Sequence, residues 1–132
     1  MPIKVLLADD TQIMRSAIRH LLKEQPEIEL VAEAVDFSQT ISLTRKFKPQ
    51  IVIMDLHMPK SLELTPLDIG TNLHSSAASI LAISIWHDED THELAQSFGA
   101  SALLNKMHLG EELIPTVMKL ASITKVSRAA TI

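Results

Sequence analysis

The stretch Ile51-Val52-Ile53-Met54-Asp55-Leu56-His57-Met58-Pro59 decides how the whole chain is read. Four apolar residues run without interruption into a carboxylate, and a proline closes the segment. An unbroken apolar run this short suits a strand covered on both faces, as in a parallel sheet. The aspartate at its end is a poor core residue, because burying an unpaired carboxylate is costly. It suits the carboxyl edge of the sheet, where open α/β folds place their ligands. A helix cap or a turn former after the strand is the other reading, and the stretch alone leaves both standing.

The flanking sequence repeats one pattern. Ile3 to Ala8 reads as a first buried strand, stopped by Asp9-Asp10. From Gln12 to Glu24 the apolar residues Ile13, Met14, Ala17, Ile18, Leu21 and Leu22 form one stripe of an amphipathic helix, which Pro26 ends. Ile28 to Val35 is a second strand, Phe37 to Phe47 a weaker helix, and Lys48-Pro49 a break before the opening stretch. Beyond Pro59, Pro66 reads as an interruption and a helix is expected from about Leu67 to Ser75. A fourth strand is expected at Ile80 to Ile85. A helix follows from Asp88 to Phe98, with acids in its first turn and Gly99 as its C-terminal cap. Ser101 to Leu104 is a short fifth strand, and Gly110 to Thr124 a last helix whose Pro115 lies near its start. Five βα units in so short a chain point to a flavodoxin-like, doubly wound α/β fold: a five-stranded parallel sheet with helices on both faces. A TIM barrel needs three more units.

Composition narrows the classes. The 132 residues make one domain with a proper core, and 46% hydrophobic with 21% charged residues describes a globular chain. With a net charge of −4 and scattered Lys and Arg residues, nothing suggests a nucleic-acid surface here. With no cysteine, there are no disulfides, thiolate metal sites or cysteine nucleophiles. The first residues do not form a signal peptide, no segment is long enough to span a bilayer, and a cytoplasmic location is expected. The domain is expected over 1–124, with 125–132 as a tail or the start of a linker. The six histidines are dispersed; His87 and His92 sit five apart and make no helical pair, so they read as surface residues. The methionines read as core filler.

The chemistry emerges when the strand ends are gathered. In a parallel sheet all carboxyl ends share one edge, which brings together Asp9-Asp10, Asp55, Ser84 and Lys106. Crowded carboxylates stay ionised only if a cation is supplied. A hard, oxygen-ligated ion such as Mg²⁺ suits them and also binds phosphate oxygens. A lysine and a hydroxyl can hold the remaining oxygens of a phosphoryl group while one carboxylate acts as nucleophile. Asp9-Asp10 as caps of the first helix is the plainer alternative, compatible with the other.

Four segments carry a resemblance to the receiver domain of two-component response regulators. They are Val5-Leu6-Leu7-Ala8-Asp9-Asp10, Ile53 to Pro59, Leu81-Ala82-Ile83-Ser84 and Gly99 to Lys106. The resemblance runs from Ile3 to about Ser122. It implies that Asp55 is the phosphoacceptor for a sensor histidine kinase. It also implies that Asp10, Asp55 and the backbone carbonyl of His57 ligate Mg²⁺, with Asp9 bound directly or through water. Ser84 and Lys106 would contact the phosphoryl oxygens. Leu103-Leu104-Asn105-Lys106 followed by Met107 is similar to the NarL/LuxR (FixJ) class. That likeness implies a homodimer on activation and transcriptional control through a C-terminal DNA-binding domain not contained in these residues. Self-phosphorylation and autodephosphorylation are the only chemistry expected.

Two departures stand out. Leu103 occupies the place where the family carries Tyr, Phe or His, and the segment from Lys60 to Pro66 has no glycine, so its path is expected to be unusual. A free-standing or degenerate receiver, acting as an interaction module without phosphorylation-driven switching, is therefore the rival reading. Trp86 and His57 flank the expected site, where they would tune access of water or of a partner; Trp86 reads either as a partner anchor or as partly buried against the next helix.

Overall fold

The computed structural model describes residues 2–59 and 63–130, with side chains as far as Ile123. Five strands, β1 (Ile3–Ala8), β2 (Ile28–Ala34), β3 (Ile51–Asp55), β4 (Ser79–Ser84) and β5 (Ala102–Asn105), form one sheet in the order β2-β1-β3-β4-β5. All pairings are parallel. The run Ile51–Asp55 is buried throughout because its neighbours β1 and β4 cover both edges and helices cover both faces.

Residue parity divides the core. Leu6, Ala8, Val52, Met54, Ile80 and Ala82 point to one face, where they meet the buried residues of α2 (Phe37–Phe47), α3 (Pro66–Ser75) and α4 (Glu89–Phe98). Val5, Leu7, Ile51, Ile53, Leu81 and Ile83 point to the other and meet α1 (Gln12–Lys23) and α5 (Leu109–Ala130). Alternate side chains of a strand point to opposite faces, so two covered faces require the unbroken apolar runs seen in the sequence.

The helix ends show where the sequence reading needs correction. Pro66 does not interrupt a helix; it opens α3. Thr65 accepts from the Asp68 amide, the Asp68 carboxylate accepts from the Thr65 amide, and Pro66 sits in the first turn, where its missing N–H costs nothing. Asp88 lies outside α4 as its cap, accepting from the Thr91 amide, and Gly99 closes the helix at φ 75. Lys48 ends α2 in the left-handed region at φ 47, as Pro49 disfavours a right-handed turn before it. Ile85 lies beyond β4 and is exposed, not the last residue of the strand. The last helix does not stop at Thr124 but runs to Ala130. Lys60, Ser61 and Leu62, on which the expectation of an unusual loop path rests, lie outside the described residues, as do Thr131 and Ile132.

On the outer side of β2, Arg19 grips Glu33 in two-point fashion, at 2.7 and 2.9 Å. This hydrogen bonding from Arg19 holds the Glu33 carboxyl below the ordinary glutamate range, against some desolvation. A depressed folded-state value stabilises the protein above the unfolded value and is lost as pH falls through the folded one. Glu33→Gln should therefore flatten the loss of melting temperature on acidification below about pH 4.3. Parallel acid limbs for wild type and variant would show that the pair contributes nothing.

Helices α3 and α4 approach at Gly70. A Cβ there would lie 2.1 Å from the Phe98 carbonyl oxygen. Alanine normally favours a helix interior by about 1 kcal/mol over glycine. The clash with backbone reverses that preference, and Gly70→Ala should destabilise by about 2–3 kcal/mol. The urea midpoint should fall; an unchanged or higher midpoint would refute the contact.

Candidate functional site

The register of the sheet brings the strand ends to one edge. Ala8 pairs with Met54, Asp55 with Ile83 and Ser84 with Asn105, so Asp9, Asp55, Ser84 and Lys106 emerge side by side. Ligand oxygens of Asp9, Asp10 and Asp55 lie within 4.8 Å of one another. Asp9 and Ser84 are fully buried, Asp55 nearly so, and Asp10 is exposed. Lys106 reaches in from the turn after β5, its Nζ standing 2.8 Å from Asp9 Oδ2 and 3.2 Å from Asp55 Oδ2. All five side-chain positions singled out in the sequence thus lie at one edge.

The two buried carboxylates are held in place. Asp9 Oδ1 accepts from the amide and hydroxyl of Thr11, and Arg15 donates to the Asp9 carbonyl at 2.8 Å. The helix-cap reading of Asp9 thus becomes a bond to Thr11, which is itself the cap position of α1. Asp55 Oδ1 accepts from the His57 amide at 3.0 Å. Burial pushes the Asp55 carboxyl above its ordinary value, with the His57 amide and the Lys106 charge pulling the other way. Burial also works against the Lys106 ammonium, but the Asp9 and Asp55 carboxylates outweigh it and leave its pKa raised. The lysine is therefore a fixed positive charge between two acids.

The donor set suits a small, hard dication. Asp9 Oδ2 is buried and meets the Lys106 charge with no further donor among the described residues, while the exposed Asp10 opens the cluster to solvent. Three carboxylates against one ammonium leave negative charge that an oxygen-ligated ion would offset.

Ser84 has partners that the sequence did not reveal. Its Oγ accepts from the Trp86 amide at 3.0 Å and lies 3.2 Å from His57 Nε2. All six histidines are exposed, as expected, yet His57 engages the site through its ring as well as its backbone. Trp86 is 56% exposed, partly covered and partly open to solvent. With His57, Asp88, Asp90, Thr91 and Leu94 it lines a groove of about 360 Å³ beside the site. Leu103 is partly buried against the core under α2, α3 and α4.

The parallel sheet with helices on both faces and an acidic carboxyl edge defines a doubly wound α/β domain, and comparison with known proteins gives the family. The chain belongs to the response regulator receiver domain family, matched over residues 5–118. A protein-glutamate methylesterase/protein-glutamine glutaminase of Myxococcus xanthus is 32% identical across 96% of this chain and 39% of its own length. The transcriptional regulatory protein DegU of Brevibacillus brevis is 31% identical across 90% of this chain and 50% of its own. The chain therefore spans half or less of these relatives. Among solved structures, a LuxR-family two-component response regulator from Aurantimonas sp. superimposes with TM-score 0.79 at 28% identity, covering 92% of this chain and 87% of that one. The response regulator domain of Thermotoga maritima CheB, at 20% identity and TM-score 0.76, covers 91% of this chain and 96% of its own and shows the fold alone. Among the described residues, no helix is long and apolar enough to cross a membrane.

Proposed function

We propose that this receiver is a phosphorylation-driven switch in which Asp55 takes a phosphoryl group from the phosphohistidine of a sensor kinase. A carboxylate oxygen of Asp55 attacks phosphorus, the N–P bond of the donor breaks, and the imidazole leaves with the bonding pair, giving an acyl phosphate. Lys106 Nζ and the Ser84 hydroxyl bind the phosphoryl oxygens. Mg²⁺ would be held by Asp9, Asp10, Asp55 and the His57 carbonyl, and when bound it supplies positive charge that offsets the crowded oxygens. The phosphoryl group adds about 1.5–2 negative charges, and the gain is read out by shifting an existing conformational equilibrium. The output is transcriptional control by a DNA-binding domain outside these residues, with dimerisation on activation, in the cytoplasm.

One observation carries the reading: three acid side chains meet within 4.8 Å of one another around an ammonium that bridges two of them. A structural salt bridge has no use for the third, solvent-facing acid. Leu103 favours the rival of an interaction module without switching, since it places no ring behind the site. Incubation with Mg²⁺ and acetyl phosphate, followed by intact mass measurement, separates the two. A phosphate adduct that chelator prevents supports the switch, and its absence supports the module.

A further inference from the structure

The hydroxyl assigned above to a phosphoryl oxygen is already engaged. Ser84 has one hydroxyl proton and two lone pairs. The Trp86 amide donates into the oxygen, and His57 Nε2 stands 3.2 Å away. With the imidazole proton on Nδ1, Nε2 is an acceptor and takes the one proton that Ser84 has to give. That proton cannot serve an anionic phosphoryl oxygen at the same time. We infer that His57 is a positioning residue: its ring holds the Ser84 hydroxyl in a resting orientation, and phosphorylation of Asp55 draws the hydroxyl away from it.

Three further observations fit this exchange. The His57 amide is bound to Asp55 Oδ1, so the ring is anchored to the acid whose modification would release its partner. The ring is exposed and borders the groove beside Trp86 and Asp88, which leaves it room to turn once released. Leu103, paired with Ala82 on the neighbouring strand, offers no polar or aromatic group to hold Ser84 from behind. The resting hold on the hydroxyl thus comes from the β3 side of the site.

The inference rests on the phosphoacceptor reading, and one experiment separates the two. Beryllofluoride with Mg²⁺ stands in for the phosphoryl group, and its binding is read by calorimetry and by fluorescence of Trp86, the single tryptophan in a chain without tyrosine. His57→Ala should tighten binding about fivefold, the worth of one competing hydrogen bond. His57→Gln, which keeps an acceptor, should stay closer to wild type. In a Ser84→Ala background His57→Ala should change nothing, because the two residues act through one bond. No tightening, or the same tightening with and without Ser84, overturns the role of His57 while leaving Asp55 in place. Failure of the wild type to bind beryllofluoride overturns the phosphoacceptor reading and this inference together.

Discussion

Asp55→Asn protein incubated with acetyl phosphate and Mg²⁺ will show no phosphate adduct by intact mass, under conditions where the wild type gains one. Asparagine keeps the shape of the side chain and an oxygen for the His57 amide, but the nucleophilic carboxylate is gone. Asp9 and Asp10 remain, so an adduct that persisted would place the chemistry on another acid and end the assignment. The same substitution should raise the melting temperature without added metal. Burial is the main influence on Asp55 and lifts its pKa, so its ionised form at neutral pH opposes folding. Removing that charge should stabilise by about 1 kcal/mol, or a few degrees for a domain of this size. Loss of phosphate together with gain of stability would mark a residue kept for chemistry and not for the fold.

Lys106→Met should also cost phosphorylation, but it should lower stability where Asp55→Asn raises it. The ammonium contacts two buried carboxylates, at 2.8 and 3.2 Å, and Asp9 Oδ2 has no other donor among the described residues. Removing one partner of a buried charge cluster leaves the others uncompensated, at a cost of about 2–4 kcal/mol. The variant should melt well below wild type in EDTA and recover part of the difference in excess Mg²⁺. Its yield of phosphate adduct should fall steeply, since the positive charge beside Asp55 is lost. A melting temperature in EDTA equal to that of the wild type would show that solvent already neutralises the cluster.

The fold was legible because two covered sheet faces demand continuous apolar strands, and Val5–Ala8, Ile51–Met54 and Ile80–Ile83 have no other use. The edge was legible for a topological reason: parallel strands deliver their ends together, so Asp9, Asp55, Ser84 and Lys106 converge whatever the loop lengths. Features set by helix ends were harder to see. Pro66 alone reads as a breaker; only with Thr65 and Asp68 as a reciprocal cap does it become the first turn of a helix. The extension of α5 to Ala130 was hidden by the small and polar composition of its last turns. The His57–Ser84 contact depends on side-chain rotation in a loop, for which periodicity offers no signal.

The close approach at Gly70 bears on where a change at the site must travel. Backbone of α4 sits directly against α3, and His74 of α3 also contacts the carbonyl of Gly99 at 3.0 Å. No cushion of side chains separates the two helices at this point, so neither slides independently of the other. The loop carrying Trp86 and Asp88 leads from Ser84 straight into α4. A displacement entering there would turn a coupled pair of helices as one lever, and the surface that feels it would include the outer side of α3, far from the acids.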